Sequence, residues 1–397
     1  MKTSITREGF LYLFVAFVIL FGAMMREVNT MLLFASFLFA PAILARYMGR
    51  RTIKKINIER IIPAQIFAGE SFIVGIEATN SRPAQRFSLA CWGLVVIDRI
   101  RRLQENESSP SEKPYEPAVY FNYVPNGQTR QQSYAGSLPQ RGHYQFEQVQ
   151  ITTRFPFGFF RSRFEQVPKQ KTSEFFVYPK IGKLSSRWKS QRRKANENRQ
   201  RLHYQPSRQI GDFVGVRPWQ HGDTKKDIHH RASAKHQSPV VRQYELHQNQ
   251  DCTVILDLYH DGEGNDFCRE SFELAVSLAA TLISDMVRSG QGNLFFATTK
   301  DPAESVYAPL GFSALDQVLR RLTFAAPGKE DHLAETLLRI PVYHQAEIIF
   351  VTVNSPDIYT SQRFKSISED SRYRGALKQF HVIDTSSENL ADIFCVG

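Results

Sequence analysis

Residues 9–25 read GFLYLFVAFVILFGAMM and residues 28–45 read VNTMLLFASFLFAPAILA, separated only by Arg26 and Glu27. Neither run contains a charged residue. Each approaches the roughly 20 residues that an α-helix needs to cross the hydrocarbon core of a bilayer. The connection is too short for anything but a tight turn, so both runs span a membrane or neither does. Taken alone, the first run, with Lys2 and Arg7 ahead of it, has the form of a signal peptide. A second run following at once argues instead for a two-helix transmembrane hairpin over residues 1–50.

The flanks set an orientation. Arg46, Arg50, Arg51, Lys54, Lys55 and Arg60 follow the second run, and Lys2 and Arg7 precede the first, while Arg26 in the turn is offset by Glu27. Lys and Arg are retained on the cytoplasmic side. We therefore expect a protein of the inner (cytoplasmic) membrane with two spans, both termini and the soluble body being cytoplasmic. Cys91, Cys252, Cys268 and Cys395 are scattered without a CxxC pair, the pattern of reduced thiols rather than of a disulfide frame or zinc site.

The chain has 397 residues, 42% of them hydrophobic, which is enough for two or three packed domains behind the hairpin. Residues 56–179 carry strand signals. Phe72, Val74, Ile76 and Ala78 alternate with Ser71, Ile73, Gly75 and Glu77 and stop at Asn80-Ser81-Arg82-Pro83. Further strands are expected at 87–97, 144–152 and 175–178, with a polar loop at 104–117, and a β-sandwich-like domain results. Residues 180–210 form a basic linker, in which ten Lys and Arg residues from Lys180 to Arg208 face only Glu197. A solvated segment beside an anionic membrane is the favoured reading. Nucleic-acid binding is the alternative, but no nucleic-acid module or aromatic platform accompanies the charge.

Over residues 250–397 strands and helices alternate: strands at 252–258, 293–298, 347–353 and 379–383, helices around 272–286, 312–322 and 331–339. Such alternation predicts a doubly wound α/β domain with a mainly parallel sheet. The fold class is thus multidomain: hairpin, all-β domain, α/β domain.

Between the last two lies a connector, residues 211–249, rich in charged, aromatic and turn-forming residues. His221, Asp223, Asp227, His229 and His230 would suit a metal or acid–base cluster by type. Adjacent histidines diverge on a strand or a helix, and no HExxH frame is present, so hydrogen-bonding use in joining two domains is favoured. Asp223 follows Gly222, whose freedom to turn would aim the carboxylate at nearby N–H groups or at Arg217. No Walker A sequence, no GxGxxG after a strand and no GxSxG occurs, so nucleotide hydrolysis by this chain is not expected. No small-molecule substrate is indicated.

The connector carries a resemblance. Gly211-Asp212-Phe213, Arg217-Pro218-Trp219-Gln220-His221-Gly222-Asp223, Ile228-His229 and Ala234-Lys235 resemble the signature of the domain of unknown function 58 family. The site residues this likeness singles out are Gly211, Asp212, Arg217, Trp219, Gly222, Asp223, Ile228, His229, Ala234 and Lys235. His230 stands where the family usually has Trp. Upstream, Arg154-Phe155-Pro156-Phe157-Gly158-Phe159-Phe160 is similar to the family's Asp-Pro-Phe-Gly-Leu element, with Arg154-Phe155 where an acid is common.

The resemblance implies a C-terminal von Willebrand factor A-like region and a MoxR-type AAA+ ATPase as partner. In the metal-binding form of that region the first strand ends in Asp-x-Ser-x-Ser, and here the corresponding residues are Asp257-Leu258-Tyr259-His260-Asp261. Asp257 and Asp261 keep two oxygen donors while both serines are lost, which leaves open a Mg²⁺ site or a metal-free site for a partner's Lys or Arg. The expected function is a membrane-anchored protein-interaction or assembly factor, its partner held at the strand-end loops around 257–266 and 354–357. The alternatives are a hydrolytic or metal-dependent enzyme using the connector and the strand-end carboxylates, and a nucleic-acid-binding membrane protein.

Overall fold

The computed structural model describes residues 1–25, 29–83, 90–103, 113–168, 174–192, 212–221, 223–245, 251–259, 269–289, 292–340, 347–353, 380–385 and 390–395. The chain divides into two compact units, Met1–Tyr178 and Pro179–Gly397.

The first unit opens with strand β1 (Lys2–Ile5), then helices α1 (Arg7–Met25) and α2 (Asn29–Ile53). The apolar runs are therefore helical, and α2 continues past Ala45 to take in Arg46, Arg50 and Arg51. Both helices are long and apolar enough to cross a membrane. Small residues are buried along both helices, Gly9, Ala16 and Ala23 of α1 and Ala35, Ala42 and Gly49 of α2, at seven-residue intervals. Gly9 faces the Phe159 backbone, and Gly49 faces Ser162 and the Phe155 carbonyl, rather than the other helix. The large side chains point away, with Phe10, Phe14, Phe17, Phe21, Leu33 and Phe37 each more than half exposed. A helix pair of a soluble protein does the reverse, burying its largest apolar groups. Close backbone approach over small residues is how helices pack in lipid.

After α2 come β2 (Ile56–Ile61), β3 (Ile66–Phe67), β4 (Ser71–Asn80), β5 (Cys91–Ile97), β6 (Ile100–Leu103) and β7 (Ala118–Val124). They are followed by β8 (Thr129–Ser137), β9 (Gly142–Phe146), β10 (Val149–Thr153), β11 (Phe160–Gln166) and β12 (Glu174–Tyr178). Three sheets form, in the orders β1-β11-β10-β5-β7, β3-β12-β9-β6 and β2-β4-β8. One core serves all three, because alternate residues of each strand, such as Val74 and Ile76, Leu94 and Val96, Phe121, and Ile151, turn inward. Residues 144–152 are not one strand but parts of two. The chain turns at Glu147, whose N–H donates to the Arg99 carbonyl (2.8 Å) and whose carbonyl accepts from Arg60 (2.7 Å), so β9 and β10 enter different sheets.

The hairpin is rooted in this unit. β1 pairs antiparallel with β11, Lys2 opposite Arg163 and Ile5 opposite Phe160, while α2 runs directly toward β2. The first end of α1 and the last end of α2 thus lie on the same side. Thr6 caps α1 by accepting from the Gly9 N–H (3.0 Å) and donates its hydroxyl proton toward the Gly158 carbonyl (2.7 Å). Tyr12 stacks on Phe159 at 4.2 Å, and a Cβ on Gly9 would collide with the Phe159 carbonyl. The element 154–160, which also contains the cis peptide Phe155–Pro156 and Gly158 at φ 77°, is therefore the seat of the helices.

The second unit contains β13 (Lys183–Leu184), β14 (Asp212–Pro218), α3 (His230–His236), β15 (Val240–Glu245), β16 (Cys252–Leu256) and α4 (Arg269–Ser289). Beyond them lie β17 (Asn293–Thr298), β18 (Val306–Pro309), α5 (Phe312–Phe324), α6 (Leu333–Leu338), β19 (Glu347–Thr352), β20 (Phe380–Asp384), α7 (Leu390–Ile393) and β21 (Phe394–Cys395). Five strands form a sheet in the order β18-β17-β16-β19-β20, parallel except for the β18 edge. α4 buries Phe272, Ala275, Val276, Ala279, Ile283 and Met286, the face that its spacing predicts. Leu333 and Leu337 of α6 pack in a separate cluster with Ile255, Ile348 and Phe350.

The beginning of the basic segment is folded on this unit. Trp188 is buried and lies 4.9 Å from the His381 ring, Lys189 pairs with Asp285 at 2.7 Å, and the Gly182 N–H donates to the Thr281 hydroxyl at 2.9 Å. Residues 193–210 of the segment lie outside the described residues.

Candidate functional site

Each described parallel strand of the second unit ends at or just before a polar residue. Asp257 follows β16, Thr299 follows β17, Thr352 closes β19, and Asp384 with Thr385 closes β20. The chain leaves β16 for β17 on one side while β19 lies on the other, so Asp257 stands at the carboxyl edge where the strand order reverses. Open α/β sheets bind their ligands at such a point.

Asp257 is only 3% exposed, and its carboxylate accepts hydrogen bonds from Thr299, Tyr259 and Thr352. Oδ1 receives the Thr299 hydroxyl (2.8 Å) and the Tyr259 N–H (3.2 Å), and Oδ2 receives the Thr352 hydroxyl (3.2 Å). Thr299 cannot readily turn away, because its oxygen also accepts from the Leu258 N–H at 2.9 Å. Hydroxyl and N–H donors placed in this way satisfy the hydrogen-bonding capacity of a buried carboxylate. A cation such as Mg²⁺ demands near-octahedral oxygens. Among the described residues no three His, Cys, Asp or Glu side chains gather to hold a metal. The described donors around Asp257 do not fit a Mg²⁺ site by themselves; Asp261, like Asp266, Asn354 and Asp357, lies outside the described residues.

The signature segment folds as a small ribbon. β14 and β15 pair antiparallel, with an irregularity between Phe213 and Gly215, and α3 lies between them in sequence. Arg217 and Asp223 meet end-on, Nη1 to Oδ2 at 2.7 Å and Nη2 to Oδ1 at 2.6 Å, and the Gln220 N–H adds a third bond to Asp223 at 2.8 Å. The fork of the guanidinium matches the carboxylate, which fixes the turn between the strand and the following 3₁₀ turn Lys225–Asp227. His229 N–H bonds the Val240 carbonyl (2.9 Å), its Nδ1 accepts from the Ala232 N–H (3.1 Å), and Ile228 bridges to Val241. His229 is thereby the cap of α3. Trp219 and Val216 remain 39% and 37% exposed on this ribbon, and Ala234 and Lys235 are exposed on α3. Asp212 lies in β14, while Gly211 and Gly222 are outside the described residues.

The Arg217 hydrogen bonds, followed by the Gln220 N–H, hold the Asp223 carboxyl below the usual carboxylate range. A depressed carboxyl stabilises the folded form above the unfolded value, about 3.9, and loses that contribution as pH falls through the lower folded value. Hydrogen exchange at the Gln220 amide should therefore be unchanged from about pH 7 to 5 and accelerate, after correction for intrinsic rates, only below about pH 4. Release of that amide well above pH 4 would contradict the pairing.

Thr299 and Thr352 escaped the sequence reading. The only signal they offer is a hydroxyl at the end of a buried strand, which is common, and their partner is far away in the chain.

Residues 215–356 match the family model described as Protein of unknown function DUF58, a span that takes in the ribbon and the sheet through β19. Among curated proteins, nothing matches the chain. Solved structures with partial similarity include a β-glucosidase from Listeria innocua in complex with gluconolactone (13% identity, TM-score 0.19, covering 31% of this chain and 16% of that one). A sporulation control protein from Bacillus subtilis (14%, 0.17, 37% and 56%) and a superoxide reductase from Ignicoccus hospitalis (12%, 0.17, 32% and 90%) are similar to a comparable degree. The chain spans less than a fifth of the glucosidase, and at these TM-scores none of the three bears on its fold or function.

Proposed function

We propose that this chain is a membrane-anchored protein-interaction or assembly factor: the hairpin spans the inner membrane, and the second unit presents its von Willebrand factor A-like surface to a MoxR-type AAA+ ATPase in the cytoplasm. The observation that carries the anchoring is the inverted packing of α1 and α2, small residues inside and large apolar ones outside. The doubly wound strand order and the position of Asp257 at its reversal support the likeness to a von Willebrand factor A region. Binding rather than turnover is supported by the hydroxyls of Thr299 and Thr352 on Asp257 and by the Arg217 fork on Asp223, which engage both carboxylates among the described residues.

An exposed aromatic is the kind of anchor that interfaces use, and Trp219 provides one just past β14 of the ribbon. Detergent-solubilised full-length protein should retain a MoxR-type ATPase in a nucleotide-dependent manner, and Trp219→Ala should weaken capture about tenfold or more, since hot-spot truncations cost about 2 kcal/mol. Absence of any such ATPase with and without ATP would reject this partner.

A further inference from the structure

The root of the hairpin holds a cleft of about 310 Å³ lined by Ser4, Ile5, Thr6, Arg7, Glu8, Arg154 and Arg161. It is bounded by β1, the first turn of α1 and the seat of the helices. Three guanidinium groups face one carboxylate there. Arg7 and Arg154 act electrostatically on Glu8, but among the described residues none of the three guanidinium groups makes the close ion pair seen for Arg60, Arg217 and Arg339. Arg154 and Arg161 also border a second, larger hollow of about 520 Å³ on the outer face of the sheet, with Arg163 beside them. Guanidinium groups that outnumber the one carboxylate beside them around a concavity call for an anion, and their planar forks suit phosphate oxygens.

The depth of the cleft says where that anion comes from. One turn further along α1 the exposed apolar surface begins with Phe10 and Leu11, so the cleft lies at the boundary between lipid-facing and water-facing surface. The same level carries Arg50, bonded to the Thr3 hydroxyl, and Arg51, 4.6 Å over the Tyr47 ring. Basic and aromatic side chains together mark the headgroup region. The volume is at the small end of ligand sites, roughly 300–1,000 Å³. Glu8 opposes an anion, but the positive end of the α1 dipole and the three arginines outweigh it.

We propose that the cleft formed by Arg7, Arg154 and Arg161 binds the phosphodiester of an anionic glycerophospholipid. The bound lipid ties β1 and the Arg154–Phe160 seat together and so fixes the body against the membrane surface. This rests on the reading of α1 and α2 as a membrane hairpin.

The test uses the full chain in zwitterionic detergent, titrated calorimetrically with short-chain phosphatidylglycerol and with phosphatidylcholine of the same chain length. A saturable site for the former alone is expected, weakened about tenfold or more by Arg154→Gln, which removes a charged hydrogen-bond donor. Arg154 is exposed, so the variant should melt as the parent does. Lys54→Gln with Lys55→Gln, removing nearby charge outside the cleft, should leave binding unchanged. Equal binding of both lipids, an unchanged Arg154→Gln, or an equal loss in the Lys54/Lys55 variant would overturn the proposal. Displacement by inorganic phosphate at equal concentration would assign the site to free phosphate and overturn the lipid assignment. Separately, a chain that stays in membranes on alkaline washing yet binds no lipid sinks only this site, whereas a chain released by that wash sinks the hairpin reading itself.

Discussion

Replacing Asp98 by alanine should destabilise the first unit by about 3–5 kcal/mol, the cost typical of stranding one partner of a buried ion pair. Asp98 and Arg60 are 1% and 3% exposed. Arg60 Nη2 lies 2.6 Å from Asp98 Oδ1 and also donates to the Glu147 carbonyl at 2.7 Å; Tyr134 donates its hydroxyl to Asp98 Oδ2 at 2.9 Å, and the Arg99 N–H adds a bond at 2.9 Å. Burial first, then the Asp98 charge, pushes the Tyr134 phenol well above its usual range, so it stays a donor. Removing Asp98 leaves the buried guanidinium, 4.7 Å from the Phe146 ring, without the carboxylate that it pairs with. Changing the pair together, Arg60→Met with Asp98→Leu, should cost far less, because nothing charged remains to solvate. Urea unfolding followed by exchange of the β4 amides measures both. A single Asp98→Ala costing under about 1 kcal/mol would mean that the pair is solvated.

Asp257→Ala should destabilise the second unit by about 3 kcal/mol, because the Thr299 and Thr352 hydroxyls and the Tyr259 N–H all lose their acceptor in a buried setting. Asp257→Asn keeps one acceptor oxygen but turns an NH₂ toward a donor, and should cost about 1–2 kcal/mol. Thermal unfolding reads the difference. If Asp257→Ala melts as the parent does but loses its partner, the carboxylate serves a ligand rather than the sheet, and the hydrogen bonds described here are not what holds it.

The hairpin was legible because unbroken apolar runs leave few alternatives, and β4 because its alternation spans a whole strand. β16 and α4 were legible for the same reason, since local period and burial agree. What escaped depends on distant partners. β1 is four residues without a clear period, and only β11, more than 150 residues further on, makes it a strand. β9 and β10 merged into one expected strand because the corner at Glu147 carries neither Gly nor Pro. β14 and β15 were hidden by the irregularity at Gly215 and by a mixture of charged and aromatic side chains, for which pairing rather than composition decides. Asp257 could be singled out from the end of its strand; the threonines that enclose it could not. The Arg154–Phe160 element drew notice by likeness alone, and its contact with Thr6 and Gly9 supplies a physical reason for it.

Membrane topology gives the most direct test of an anchored body whose two helix ends emerge on one side. The full chain should remain in the membrane fraction through alkaline carbonate washing, and reporters placed ahead of Lys2 and after Gly397 should both be accessible only from the cytoplasm. Release of the chain by the wash, or reporters on opposite faces of the membrane, would contradict it.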